Sequence, residues 1–157
     1  MYEQISAFFT IEMIYLWLSF GVIPFWFILI FFPQSKVCGL LATSIFPFLI
    51  LGSVYIYLIY YFFNTDYDFF ESFELYLGIY NLANLFENEA FLILIWTHFL
   101  AINLFCAAWI VRDSQKYFMP KYLNIMPLII TYFVGPVGIV IYWIIRIFFA
   151  KKISLFD

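Results

Sequence analysis

His98, Asn103, Arg112 and Asp113 are side chains able to move a proton, hold a charge or anchor a hydrogen bond, and all four lie in or just after one apolar run. A polar group inside hydrocarbon is expensive unless it has a partner, so His98 and Asn103 mark where a function could reside. As a neutral imidazole, His98 could relay a proton or ligate a metal. It is the single histidine of the chain, and no cysteine or carboxylate sits at ligand spacing, so a metal centre is not expected and a bis-histidine haem within one chain is excluded. The simpler use of such a histidine is a hydrogen bond to another helix, and Asn103 reads in the same way as interhelical glue.

Spacing orders these residues on a helix. From His98, the offsets to Phe105, Trp109 and Arg112 are seven, eleven and fourteen, which puts the four on one stripe. Asn103 is rotated by about 140° from that stripe and addresses a different neighbour. Arg112 and Asp113 follow the last apolar residue and reach the interface, where a cation also complements the helix carboxyl terminus. Further on, Gly135-Pro136 interrupts an apolar run, which predicts a kink or a broken helix, either to shape a cavity or as a packing device. Arg146, near the end of that run, can snorkel. Glu12 begins the first run as a cap or faces the polar connector.

The elements that must position these groups are helices in a membrane. Hydrophobic residues make up 67% of the 157 residues and charged residues 11%, against roughly 25% charged in soluble domains. Four uncharged runs reach the roughly 20 residues that a spanning helix needs: Met13 to Phe32, Val37 to Phe63, Ala90 to Val111 and Tyr122 to Ile145. They lack the alternation of barrel strands. The predicted fold is therefore all-α: a polytopic membrane protein with four transmembrane helices in a single domain over residues 1–157. Pro33-Gln34-Ser35-Lys36 and the segment Arg112 to Lys121 make short turns that close two antiparallel hairpins. Between the second and third runs, Asn64 to Glu89 forms an amphipathic connector carrying Asp66, Asp68, Glu71, Glu74, Glu87 and Glu89, with Glu74, Asn81, Asn84 and Asn88 at one-face helical spacing. It is either a solvated connector or a polar lid.

Lys36, Arg112, Lys116 and Lys121 lie in the two short loops, so the positive-inside rule places those loops in the cytoplasm. Lys151 and Lys152 oppose this, because an even number of spans puts them on the acidic side. The net charge of -3 and the absence of a basic patch interleaved with stacking rings exclude nucleic acid as a partner. The amino terminus has no positive region and a long apolar stretch, so the first run is expected to remain in the mature protein. Cys38 and Cys106 read as small buried hydrophobes. The aromatic share of 26% must face lipid, other helices or a flat apolar ligand.

Motifs of hydrolases, zinc peptidases, nucleotide-binding loops and di-iron His boxes are absent from the sequence. What is present is Trp96-Thr97-His98-Phe99-Leu100-Ala101-Ile102-Asn103-Leu104-Phe105, then Trp109 and Asp113, then Gly135-Pro136-Val137-Gly138. In this order the residues resemble the signature of the neoxanthin-synthesis membrane protein family, named from an abscisic-acid-deficient plant locus. The resemblance covers about the last sixty residues and implies a four-helix protein of plastids and bacteria. Plant members are needed to convert the epoxycarotenoid violaxanthin into neoxanthin. The chain departs at Asn103, where the family has an aspartate, so any acid–base role there is lost with the carboxylate.

The resemblance implies a protein that binds a carotenoid or related isoprenoid and supports its modification or isomerisation, in a bacterial inner membrane or a thylakoid, with membrane lipid as surroundings and no cofactor. Trp96, Asn103, Phe105, Trp109, Gly135 and Pro136 are the expected ligand-binding residues. An isomerase-like reaction on an epoxide needs an acid at oxygen and a base at a carbon-bound hydrogen. His98 is the expected acid or base, Asp113 its orienter or a base, and Arg112 a stabiliser of negative charge. The rival reading is a small non-catalytic accessory subunit packed into a larger membrane complex; a transporter is weaker still, because no inverted repeat is present.

Overall fold

The computed structural model describes residues 10–65 and 67–151; the amino-terminal residues, Asp66 of the acidic connector and Lys152 lie outside the described residues. Seven α-helices form among them: α1 (Ile11–Gly21), α2 (Ile23–Phe31), α3 (Phe46–Phe63), α4 (Ile79–Glu87), α5 (Glu89–Lys116), α6 (Tyr122–Phe133) and α7 (Gly135–Ala150). A π-helical turn at Cys38–Ala42 leads towards α3, and a 3-10 helix at Glu71–Tyr76 precedes α4. Three stretches are long and apolar enough to cross a membrane: Ile11–Phe31, Cys38–Phe63 and Glu89–Lys116. Two compact units divide the chain, one holding 10–21 and 48–100, the other 22–47 and 101–151.

The helix boundaries have local causes. Pro24 sits at the start of α2, where its missing N–H costs nothing. Ser35 accepts the Cys38 N–H at 3.0 Å and donates to the Phe32 carbonyl at 2.8 Å, which closes the turn after α2. Asn88 caps α5, its side-chain oxygen accepting the Ala90 N–H at 2.9 Å. In the connector, Gly78 takes φ 149, a backbone state open to glycine, and separates the 3-10 helix from α4. The polar stripe expected from Glu74 through Asn88 is therefore not one helical face: Glu74 precedes the break, Asn81 and Asn84 follow it, and Asn88 is consumed as a cap.

The fourth expected span is corrected. Val134, at φ -140 and ψ 77, leaves the helical region, and Gly135 and Pro136 open a new helix. The chain does not merely kink there. In a continuous helix Pro127 and Gly138 would stand about 16 Å apart along the axis; here a Cβ on Gly138 would lie 2.7 Å from the Pro127 carbonyl oxygen. Helices α6 and α7 are thus folded against each other as a hairpin, of 12 and 16 residues respectively, each too short for a hydrocarbon core of about 30 Å.

Contacts with α5 fix the hairpin's depth. Gly135 packs on Asn103, and Arg146 pairs with Asp113. Ten residues along α5 match eleven along α7, so the two run in the same direction. Asn103 is the fifteenth of the 28 residues of α5. The hairpin therefore enters beside the carboxyl end of α5, turns back level with its middle and returns to the end it left. Because the fourth run reverses, Lys151 lies at the same end of this unit as Arg112, Lys116 and Lys121. Gln115 donates to the Pro33 carbonyl at 2.6 Å, which ties the Pro33–Lys36 turn to that end as well.

Candidate functional site

Two arrangements carry chemistry, one in each unit. In the second unit, Asp113 and Arg146 form an ion pair with Nε to Oδ2 at 2.7 Å, and their side chains are only 9% and 2% exposed. Tyr142 donates its hydroxyl to the same Asp113 oxygen at 2.6 Å, and the Arg146 Nη2 donates to the Tyr117 hydroxyl at 3.1 Å. The guanidinium lies over the Tyr117 ring at 4.8 Å and over the Trp143 ring at 4.4 Å. Trp109 closes the cluster, edge-on to Tyr142 at 5.6 Å and tilted against Trp143 at 5.7 Å. Helix periodicity assembles this: Arg146 follows Tyr142 and Trp143 by about one turn on α7, and Trp109 and Asp113 are one turn apart on α5. A buried charge pair needs this completeness, because its desolvation is offset only when the remaining lone pairs and protons are satisfied. The carboxylate has a cation and a hydroxyl; the cation has a carboxylate, a hydroxyl and two ring faces.

At the hairpin turn, Asn103 is 5% exposed and its Nδ2 has no hydrogen-bond partner among the described residues. Its Oδ1 occupies the space that a side chain at position 135 would need. Gly138 is equally constrained, against the Thr131 side chain and backbone and the Pro127 carbonyl. The glycines of Gly-Pro-Val-Gly are thus requirements of close packing between α7 and its neighbours, while Pro136 is exposed.

In the first unit, α1 and α5 run in the same direction and leave a groove of about 670 Å³ between them. Tyr15 and Leu16 on one side and Leu92, Ile93 and Trp96 on the other line its length, and Ile11, Glu12 and Glu89 line one end. These positions recur at three and four residues on each helix, so each helix turns one face to the groove. Trp96 is fixed in place: its indole N–H donates to Ser19 at 3.0 Å, and its ring stacks on Phe99 at 5.5 Å and meets Tyr15 at 5.6 Å. A concave, mainly apolar space with a few polar groups, within the roughly 300–1,000 Å³ of small-molecule sites, is suited to an elongated apolar ligand.

The residues singled out by the sequence distribute as follows. Trp96 lines the groove, Asp113 and Trp109 belong to the ion-pair cluster, and Asn103 and Gly135 meet at the hairpin turn. His98, Phe105 and Arg112 form an exposed stripe along α5. His98 and Asp113 are not brought together: fifteen residues of one helix hold them about 22 Å apart along its axis. The carboxylates among the described residues that line the groove are Glu12 and Glu89. Sequence reasoning missed Arg146, Tyr142 and Tyr117; the signal for the first two was the four-residue spacing of an aromatic hydroxyl and a cation within an apolar run. Among the described residues no three His, Cys, Asp or Glu side chains converge to hold a metal. Cys38 is buried and Cys106 half-buried, and both are free.

Comparison with known proteins places the chain. The model of the ABA DEFICIENT 4-like family matches residues 13–142, which takes in the groove helices except Ile11 and Glu12, the hairpin turn and all of the cluster except Trp143 and Arg146. Protein ABA DEFICIENT 4, chloroplastic, of Arabidopsis thaliana is 27% identical over 105 residues, 61% of this chain and 44% of that protein. The matched stretch is thus less than half the length of this curated relative. No solved structure matches the chain. With a family match over most of its length, the chain belongs to the ABA DEFICIENT 4-like family.

Proposed function

We propose that this protein is a multi-pass membrane protein that binds a carotenoid or a related long isoprenoid in the α1–α5 groove and supports its modification or isomerisation, in a neoxanthin-synthesis-like role. The observation that carries the reading is the groove itself: 670 Å³ of largely apolar space whose wall includes the anchored Trp96, the first residue of the family-like motif. A rigid indole presents a flat face to a polyene at little entropic cost. Family membership supports a carotenoid-related ligand. For the membrane setting, a thylakoid or a bacterial inner membrane, the support is three helices of spanning length and a basic end, holding Lys36, Arg112, Lys116, Lys121 and Lys151, that the positive-inside rule assigns to the cytoplasmic side.

For conversion, the geometry offers the groove carboxylates as the proton-transfer groups nearest to a bound ligand. Asp113 is already engaged by Arg146 and Tyr142, and the exposed His98 projects about 200° around α5 from Trp96. The test is to fill the groove. In a carotenoid-producing cell, Leu92→Trp should abolish the change in pigment profile that the wild-type chain brings about, with the protein still present in the membrane. An unchanged profile in the Leu92→Trp cell would remove the groove from the account.

A further inference from the structure

A second apolar groove lies wholly within the second unit, where α2 and α6 pack together and leave a space of about 320 Å³. Trp26, Phe27 and Phe31 line it from α2, and Ile129, Tyr132 and Phe133 from α6. Trp26 is buried and meets Tyr132 edge-on at 5.1 Å, which joins the two walls, while Phe27, Phe31, Ile129 and Phe133 form an exposed apolar rim. The walls run in opposite directions. Helix α2 leads into the turn that Gln115 ties to the basic end, and α6 starts from that end.

Length and charge both set the groove's occupant. From the contact of Trp26 with Tyr132, Lys36 lies ten residues on along one wall and Lys121 eleven residues back along the other. Eleven helical residues rise about 16 Å, and one leaflet of a hydrocarbon core about 30 Å thick is about 15 Å deep. The groove is therefore one leaflet deep and ends at Phe133, beside the hairpin turn. Both lysines are exposed, and neither pairs with an acid among the described residues. Tyr122, next to Lys121, is an exposed ring of the kind that sits at headgroup level. Helix α6 begins there without a side-chain cap, so its positive end is available to an anion. Among the described residues, every lysine and arginine belongs to this unit, and its one acid, Asp113, is held by Arg146.

We infer that the α2–α6 groove holds one acyl chain of an anionic phospholipid from the leaflet at the basic end, with Lys36 and Lys121 as the cations for its phosphate. An apolar slot at this depth suits a chain that starts at the headgroups and stops at the middle of the bilayer; a molecule that spans both leaflets outruns it. A headgroup with net negative charge is complementary to the two lysines, whereas a zwitterionic one brings an ammonium of its own and gains less. The bound lipid would fasten α2 to a hairpin whose helices are too short to span. The inference does not depend on the isoprenoid reading, because the α1–α5 groove is in the other unit.

The test is lipid retention by the intact, delipidated chain in detergent, read by native mass spectrometry. The probes are phosphatidylglycerol and phosphatidylcholine with identical acyl chains, and glycerol phosphate as a headgroup without a chain. Two lysines at the headgroup support a preference of about 10–30-fold for phosphatidylglycerol at low salt, shrinking as salt rises, with glycerol phosphate the weakest of the three. Lys36→Gln/Lys121→Gln should erase the preference and keep the weaker phosphatidylcholine binding. Ile129→Trp, at an exposed position of the wall, should abolish retention of both lipids. Equal retention of the two lipids by the wild type would overturn the inference, as would glycerol phosphate binding as well as phosphatidylglycerol. A preference that survives Ile129→Trp would overturn the placement in the groove, and a polyene carried by the wild type but lost from Ile129→Trp would make the groove a pigment site instead. The wild-type contrast decides by itself if a variant does not fold.

Discussion

Removing Asp113 should be among the most damaging single changes in the chain. In Asp113→Leu the Arg146 guanidinium keeps its rings and the Tyr117 hydroxyl but loses the Asp113 carboxylate in a site where its side chain is 2% exposed. Breaking a buried pair from one side costs about 3–5 kcal/mol, and the Tyr142 hydroxyl, whose bond to Asp113 is 2.6 Å long, adds an unsatisfied donor worth about 1–3 kcal/mol. The larger figure bounds the sum, because the two losses share one carboxylate and are not additive. A destabilisation of 3–5 kcal/mol multiplies the unfolded population by roughly two to four orders of magnitude. Replacing both charges, Asp113→Leu with Arg146→Met, should restore most of the loss, since apolar residues of similar volume substitute well for buried ion pairs. The assay is reversible unfolding in mixed micelles, titrated with denaturing detergent and followed by circular dichroism, for the wild type, both single variants and the double variant. A deficit under about 1 kcal/mol for Asp113→Leu, or a double variant no better than the worse single variant, would refute the reasoning.

Other expectations follow from the hairpin and the exposed stripe. Gly138→Ala should destabilise by about 1–3 kcal/mol in the same assay, because its Cβ meets the Thr131 and Pro127 backbone, which cannot swing aside. Gly135→Ala should be damaging too, but rescued by Asn103→Ser, since the obstacle there is a side chain. In a chain whose Cys38 and Cys106 are replaced by Ala, cysteines placed at 116 and 151 should be labelled by an impermeant reagent from the same side of the membrane, and a cysteine at 88 from the other. Labelling of 151 together with 88 would instead mean that the fourth run crosses. His98→Ala should leave stability within about 0.5 kcal/mol, as exposed positions do, and should retain bound pigment. Loss of pigment would contradict the placement of the ligand against Trp96.

The contrast between the sequence and the structure turns on one short segment. Apolar runs of spanning length read directly as helices, and three of them persist. The fourth has the same composition, and Gly135-Pro136 announces a break, but hydropathy carries no information about whether a broken helix continues or reverses. That choice is made by packing: Gly138 against Thr131 and Gly135 on Asn103. The basic Lys151 was the available clue, because it conflicts with the positive-inside rule only if the fourth run crosses. With the run reversed, Arg146 ceases to be a snorkelling residue at a far interface and becomes the partner of Asp113. The stripe from His98 to Arg112 was legible as a stripe, yet periodicity alone cannot tell an outward face from an inward one. Burial along α5 falls instead on Leu100, Leu104, Ala107, Ala108 and Val111. The groove depended on a pairing between α1 and α5 that no local pattern specifies; Trp96 was legible, Glu12 was read as a cap or as facing the polar connector, and Glu89 was read as one of the connector's charges.

The most direct test of the central claim is to purify the chain gently from a carotenoid-containing membrane, record its absorption spectrum, and extract and identify by mass whatever is bound. The account predicts a conjugated polyene in near-stoichiometric amount for the wild type and its loss from Trp96→Ala and Leu92→Trp at equal yields of folded protein. A folded wild-type protein that carries no polyene and takes up none, or one whose pigment is indifferent to both groove substitutions, would contradict it.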